Sequence, residues 1–205
     1  AGDVVNISAG TAALPGLTPV GDPNSGLFSP GADQIAVSTG GKERVRVDGS
    51  GRLLAGTPSA VTVNGMTAGF ELHSLVSGSG ASASIARFAA DVPGPQLSFG
   101  KSRSGTLTPG GIVQNSDPLG EINFCGDDGT DIHSSGAKIA CHVDGTPGAN
   151  AMPGRLVLST TAAGASTPSA RMTINSAGHV GIGTGLPSSA LEINSAAGTP
   201  PFIAK

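Results

Sequence analysis

Four acidic side chains near the middle of the chain have the residue types that cation binding or sugar hydrolysis requires: Glu121, Asp127, Asp128 and Asp131. Clustered carboxylates bind calcium, but this stretch lacks the terminal acid of a twelve-residue calcium loop. Paired carboxylates also hydrolyse glycosides, although polysaccharide-cleaving enzymes of this kind usually add aromatic platforms, and the chain has six Phe, no Trp and no Tyr. We interpret Asp127, Asp128 and Asp131 as a solvent-facing turn that is dispensable for folding and carries no catalysis. Cation binding there stays open on the sequence alone.

Cysteine and histidine side chains raise the question of a zinc site, at Cys125, His133, Cys141 and His142. Their spacings match no common Cys/His ligand pattern. Cys141 and His142 are also neighbours on a predicted strand and therefore face opposite sides. The two cysteines define no disulfide framework. If Ile139 and Val143 face a core, Cys141 joins them there as a small apolar residue.

The segment Gly78–Ala83 has the spacing of a dinucleotide-binding loop. A real site needs a long helix behind the loop and an acid about 20 residues further on. Pro93 and Pro95 block such a helix, so we interpret the segment as a β-turn. No Ser–His–Asp or Cys–His arrangement can be assigned among four histidines and many serines. We therefore predict a protein that is not an enzyme, with no catalytic, cofactor-binding or metal-binding residues and no cofactor.

Short apolar runs with a two-residue period recur along the chain and predict half-buried strands. They are Arg44–Asp48, Gln96–Phe99, Glu121–Phe124, Ala137–Asp144, Arg155–Leu158 and Arg171–Asn175. In Ala137–Asp144 the odd-numbered residues form an apolar face, and Lys138, His142 and Asp144 point the other way. The only helical candidate is Ser82–Ala90, for which a strand or a single turn is an equal alternative.

Composition limits the fold and its partners. The chain has 33 Gly and 15 Pro, which disfavour long helices. Leu, Ile, Val and Phe contribute only 45 of 205 residues, and a core this thin is more easily stabilised by association with identical chains. The net charge is −3 without a basic stripe, which argues against nucleic acid as a partner. No apolar run approaches the ~20 residues that span a bilayer, and no signal-peptide n-region precedes Lys42.

The chain contains an internal repeat. Arg44–Thr57 aligns without gaps to Arg171–Thr184, and the match is extended, with a short insertion, from Pro58–Asn64 into Pro187–Asn194. Each copy predicts a strand, a glycine turn, a strand, a proline turn and a strand. We predict that Gly51 and Gly178, which occupy the same place in each copy, adopt positive φ. One copy has too few apolar residues to fold alone and must be covered by other elements or other chains.

These repeat residues resemble those of bacteriophage tail-fibre and related virion structural proteins. The pattern Arg-Met-x-Ile-x-x-x-Gly-x-Val-Gly-Ile-Gly-Thr-x-x-Pro recurs in that family, and here it is almost complete at Arg171–Pro187. The stretches Gly26–Thr57 and Leu119–Thr161 resemble the companion motif and the usual middle region. The resemblance covers roughly residues 21–195. It implies a trimeric, all-β fibre or spike protein, and some members carry a self-cleaving C-terminal chaperone.

From the pattern and the resemblance together we expect an all-β fold, with short antiparallel strands in a sandwich or prism within an elongated homotrimer. The expected organisation is an extended lead-in at 1–34, a first β repeat at 35–64, a central β region at 65–155, and a second β repeat with a C-terminal tail at 156–205. Ala1 in place of Met suggests a fragment or a processed chain.

The expected function is structural. A trimeric fibre or spike segment would present a host-attachment surface on a virion and would be assembled in the host cytoplasm with reduced thiols. Its partners would be identical chains, other virion proteins, and a host surface polysaccharide or protein receptor, without nucleic acid or membrane insertion. The alternatives are a head-decoration or cement protein that binds the capsid, and a sugar-cleaving tailspike.

Overall fold

The computed structural model describes residues 6–74, 82–107 and 110–195 of the chain. Those residues contain thirteen β-strands and no helix, so the predicted all-β class is confirmed. The chain divides into two compact units, Ala1–Ala90 (unit 1) and Asp91–Lys205 (unit 2). In the described part of the chain, no helix is long and apolar enough to cross a membrane.

Unit 1 is built from seven short strands, and five of them form one sheet in the order β1-β2-β3-β4-β7. Neighbouring strands in it are antiparallel except β4 and β7, which are parallel. The strands β5 and β6 form a separate hairpin. The bounds are β1 Gly26–Phe28, β2 Ile35–Thr39, β3 Lys42–Val47, β4 Leu53–Ala55, β5 Thr62–Val63, β6 Met66–Thr67 and β7 Phe70–Leu72.

Unit 2 contains one six-stranded sheet in the order β13-β12-β11-β10-β9-β8. All neighbouring pairs are antiparallel except β12 and β13, which are parallel. The long central pairs follow from the alternating, β-branched stretches that the sequence shows there. The bounds are β8 Pro118–Gly126, β9 Ser134–Val143, β10 Gly154–Thr160, β11 Ser169–Ile174, β12 Val180–Ile182 and β13 Leu191–Ile193.

The two copies of the sequence repeat form the same supersecondary module. Strand β3 corresponds to β11 and β4 to β12, and in each copy a third strand returns parallel to the second. The hydrogen bond that closes the hairpin is also the same: Gly56 N–H donates to the Arg44 carbonyl, and Gly183 N–H donates to the Arg171 carbonyl, both at 2.9 Å. The repeated residues therefore encode one local structure twice.

A glycine with positive φ lies in the first turn of each module, as predicted. The φ angle is +77° at Gly51 and +80° at Gly178. A side-chain oxygen organises each turn, because Asp48 Oδ1 and Asn175 Oδ1 accept hydrogen bonds from the backbone N–H groups two and four residues later, at 2.9–3.0 Å. The turn thus combines a left-handed glycine with a side chain that replaces a backbone acceptor.

The predicted third strand of the first module forms, but its predicted correspondence to β13 is wrong. Val61–Asn64, which the sequence aligns with the strand β13, instead contributes β5 to the inserted hairpin. The strand that corresponds to β13 is Phe70–Leu72. Its Glu71 and the Glu192 of β13 occupy matching places, and their Oε2 atoms accept hydrogen bonds from Val61 N–H and Ser188 N–H, both at 2.9 Å. The alignment placed this strand too early, because in the first copy the hairpin of β5 and β6 precedes Phe70–Leu72.

Three further local predictions differ from the structure. Gln96–Phe99 does not form a strand, because an alternating pattern makes a strand only where the edge of another strand is available for pairing. Ser82–Ala90 is irregular rather than helical. The lead-in is not wholly irregular, because Gly26–Phe28 forms the edge strand β1. Within Gly78–Ala83 the first four residues lie outside the described residues, so the turn interpretation there stays a prediction.

Candidate functional site: the apolar sheet faces

The sheet of unit 2 carries large apolar side chains on one face, and this face is exposed in the single chain. Two cross-strand rows define what we call the apolar face of unit 2. The first row crosses all six strands and consists of Ile122, Ile139, Leu158, Met172, Ile182 and Ile193. The second row crosses five strands and consists of Cys141, Leu156, Ile174, Val180 and Leu191. None of these eleven side chains is buried.

The opposite face of the same sheet is the one that the chain buries. Ala140 and Thr173 are each 1% exposed, whereas Ile139 is 37% exposed and Ile182 43% exposed. The predicted separation of faces in β9 therefore holds by register, but Ile139 and Cys141 do not lie in a core of their own chain. Small and polar residues are thus covered here, while most large aliphatic side chains of the sheet stay exposed; the exception is Val143 at the end of β9, which is 0% exposed. This distribution differs from that of an ordinary monomeric protein, whose large aliphatic residues are mostly buried.

Unit 1 shows the same pattern in part. In β2 the small side chains of Ala36 and Ser38 are each 1% exposed, while the alternate residues Ile35 and Val37 are exposed. Cross-strand pairing extends this outward pattern over β2, β3, β4 and β7. The apolar face of unit 1 consists of Ile35, Val37, Val47, Leu53, Phe70 and Leu72. The buried face of this sheet also holds two large apolar side chains, Phe28 and Leu54.

Over the described residues as a whole, exposed large apolar side chains outnumber buried ones. Six hydrophobic residues are buried, whereas thirty large hydrophobic residues are exposed. Single exposed apolar residues are normal on a protein surface, but contiguous apolar faces mark interaction sites. The sequence indicated a thin core; it did not indicate that one face of each sheet would expose most of the large apolar side chains.

An apolar notch of about 170 Å³ opens on the apolar face of unit 2. Phe99 forms one wall, and it lies over Gly120, where an added Cβ would stand 2.6 Å from the Phe99 Cβ. The other apolar walls come from Ile122, Ile139, Cys141 and Leu156. Gly120 and Phe99 were not singled out by sequence reasoning, and a glycine inside a strand was the available signal of such a close approach.

The acidic residues singled out in the sequence form turns rather than a ligand cluster. Asp127 Oδ1 accepts a hydrogen bond from Gly129 N–H at 2.8 Å, and Asp131 Oδ1 accepts one from His133 N–H at 2.8 Å. A hydrogen bond from the Ser134 hydroxyl lowers the pKa of Asp128, and backbone N–H groups lower it further. Over residues 6–74, 82–107 and 110–195, no three His, Cys, Asp or Glu side chains are grouped to hold a metal ion.

Glu121 lies apart from these turns on β8. Its Oε1 accepts a hydrogen bond from the Asn123 amide at 3.0 Å, and its Oε2 is 3.3 Å from Lys138 Nζ. The hydrogen bond from Asn123 is the main cause that lowers the Glu121 pKa. Its carboxylate is thus engaged by side chains of its own sheet.

The cysteines and His142 are placed separately. Both thiols are free and half-buried. Cys141 lies on the apolar face of unit 2, whereas Cys125 lines an open cleft beside Asp127 and Asp128. His142 lies on the other side of β9, where its Nδ1 is buried without a hydrogen-bond partner among the described residues. Burial lowers the pKa of His142, as do the charges of Arg155 and Lys138, while Glu121 raises it.

Two open polar clefts lie beside arginine side chains, one in each unit. In unit 1, Arg46 donates to Glu43 at 2.7 Å and to Gln34 at 2.8 Å, in a cleft of about 510 Å³. In unit 2, Arg155 donates to Asp144 Oδ1 at 3.1 Å, in a cleft of about 550 Å³. Each arginine is already paired with an acid of its own unit, so these groups stabilise the fold locally.

No protein-family profile matches the chain, and no curated protein sequence matches it. Solved structures do match. One is the carboxy-terminal domain of the bacteriophage T5 L-shaped tail fibre, with a TM-score of 0.53 and 15% identity, over 92% of this chain and 78% of that one. Another is the same domain with its intramolecular chaperone domain, with a TM-score of 0.53 and 16% identity, over 89% of this chain and 54% of that one. The fold of this chain is therefore similar to that of a phage tail-fibre domain.

Proposed function

We propose that this chain is a structural segment of a phage fibre or spike that works as a homotrimer and presents a host-attachment surface on the virion. The observation that carries the proposal is that one face of each sheet carries a contiguous set of exposed, large apolar side chains. The similarity in fold to a tail-fibre domain and the resemblance of Arg171–Pro187 to fibre proteins support the same function.

Association with identical chains would supply the stability that one chain lacks. Full burial of a large aliphatic side chain contributes about 1.5–3 kcal/mol. Seven residues of the apolar face of unit 2 are each exposed by 36–58%. Covering these seven side chains would therefore add on the order of 5 kcal/mol per copy to the stability of the assembly. The whole free energy of unfolding of a typical protein is ~5–15 kcal/mol.

The mechanism that we propose is geometric and multivalent, without catalysis. A trimer presents three copies of any contact surface, and linkage of weak contacts raises their combined affinity by a factor of ~10²–10⁴. The carboxylates that could have served glycoside hydrolysis accept hydrogen bonds from their own turns, as Asp127 and Asp131 do. That arrangement supports a structural role for the turn.

The proposal is tested first by mass and then by adsorption. Sedimentation equilibrium should give three times the chain mass of 19.8 kDa. Purified protein added to host cells should then slow phage adsorption in proportion to the amount bound. A monomer mass would contradict the trimer. A trimer that binds capsids but not cells would indicate a decoration protein, and release of reducing ends from host polysaccharide would indicate a sugar-cleaving spike.

A further inference from the structure

We infer that the apolar face of unit 2 is the surface through which copies of this chain contact one another, with Cys141 inside that contact. The inference rests on the proposed oligomer and deepens it, because it assigns one face of one sheet as the interface. On this assignment, the main contact between copies does not involve the opposite face of the sheet, the sheet edges or the polar clefts. The occupant of the face is a second copy of this chain.

The face has the continuity that an interface requires. Its first row runs without interruption from Ile122 on the edge strand β8 to Ile193 on the opposite edge strand β13. Neither row contains a charged residue. A partner that recognised this face through salt bridges would find no counter-charge in these rows, whereas an identical uncharged face is complementary to it.

The size of the apolar face of unit 2 also fits a second copy. With strands about 4.8 Å apart and a rise of about 3.4 Å per residue, two rows across six strands cover roughly 400 Å². That is about half of the ~800 Å² that each partner contributes to a standard interface, and contiguous apolar patches of a few hundred Å² mark interaction sites.

The notch beside Phe99 is the place on this face where we expect a side chain of the second copy to bind. Its volume of about 170 Å³ is close to the ~150 Å³ of an apolar cavity that admits a benzene-sized group. An apolar side chain of a second copy would fill it, in contact with Cys141 and Leu156. In a trimer each copy contacts its neighbour through two different patches, so the notch of one copy would receive a side chain from another part of the next copy's apolar face.

The two cysteines allow a direct test with the full chain, because the sequence contains no others. Cys125→Ser leaves the thiol at 141, and Cys141→Ser leaves the thiol at 125. Both thiols are half-buried in the single chain, so a monomer should expose them to a maleimide reagent at comparable rates. In the assembled protein we expect the Cys141 thiol to react at least 100-fold more slowly than in denaturant, and the Cys125 thiol to be protected less than 10-fold.

A charge placed in the face provides the second measurement. Ile139→Glu should convert the oligomer into a monomer that keeps its far-ultraviolet circular dichroism, since Ile139 is already on the surface of its own unit. Leu186→Glu is the matched control. Leu186 is exposed in a loop outside the apolar face, so this variant should sediment as the wild-type oligomer does.

The outcomes separate this inference from the function on which it rests. A wild-type oligomer in which Cys141 reacts as fast as in denaturant would overturn the assignment of the face and leave the oligomer intact. A wild-type monomer would overturn both. If Ile139→Glu fails to fold, the protection of Cys141 decides the question alone.

Discussion

Gly183 approaches the carbonyl oxygen of Asn194 so closely that a Cβ added to it would clash with that oxygen. The φ angle of Gly183 is +73°, and Asn194 N–H in turn donates to the Ile182 carbonyl at 2.9 Å. The first module repeats this contact between Gly56 and the carbonyl oxygen of His73. In both units this glycine therefore lets the second and third strands of the module run side by side.

Gly183→Ala should destabilise the protein by more than the ~1–2 kcal/mol of a left-handed alanine, because the new Cβ also meets the Asn194 carbonyl. Thermal unfolding followed by circular dichroism measures the loss. Gly185→Ala is the control, since Gly185 has open space around it and no positive φ. Equal melting temperatures for the two variants would contradict the contact.

Gly178→Val should lower the melting temperature or block assembly through backbone strain alone. Its φ is +80°, and a Cβ there would meet nothing within 4 Å, so the expected cost is ~1–2 kcal/mol per chain. Ala177→Ser should have little effect. Gly178→Asn should cost less than the valine variant, because asparagine tolerates the left-handed conformation. A valine variant as stable as the asparagine variant would exclude strain as the cause.

The stability of unit 2 should fall as the pH is lowered through the range in which histidine titrates. Burial lowers the pKa of His142 below its ordinary value, so the folded state favours the neutral ring. The stabilisation that follows from this preference is complete at pH values above the pKa that His142 has in the unfolded chain, and it declines as the pH falls below that pKa. The melting temperature should therefore drop more between pH 7.5 and 5.5 in the wild type than in His142→Gln. Parallel pH profiles would show that another group is responsible.

The triple variant Asp127→Ala, Asp128→Ala and Asp131→Ala should fold and assemble. Each lost acceptor bonds only within its own turn or to Ser134, so the expected loss is a modest drop in melting temperature. The mass of the oligomer and the release of reducing ends from host polysaccharide are the two measurements. If the wild type releases sugar and the triple variant does not, the non-enzymatic proposal is wrong.

Much of the local structure was predictable from the sequence, because it depends on short-range chemistry. The alternation in Ala137–Asp144 and Arg171–Asn175 specifies strands, and the repeat specifies the same glycine turn at Gly51 and Gly178. Each of these features is decided within a few residues by side-chain direction and backbone sterics. Gln96–Phe99 shows the limit of this reasoning, because its alternation matches the others but no neighbouring strand edge pairs with it.

Only the tertiary structure decided which strands pair and which faces are covered. The parallel partner of β4 is Phe70–Leu72, brought there by an inserted hairpin that no alternation signals. A two-residue period likewise places Ile139 and Ala140 on opposite faces of the sheet, but it does not predict which of the two faces the chain itself will bury. The structure covers Ala140 and leaves Ile139 outside. Burial depends on contacts between residues distant in sequence, and for a chain with so few large apolar residues we propose that some of those contacts come from other copies.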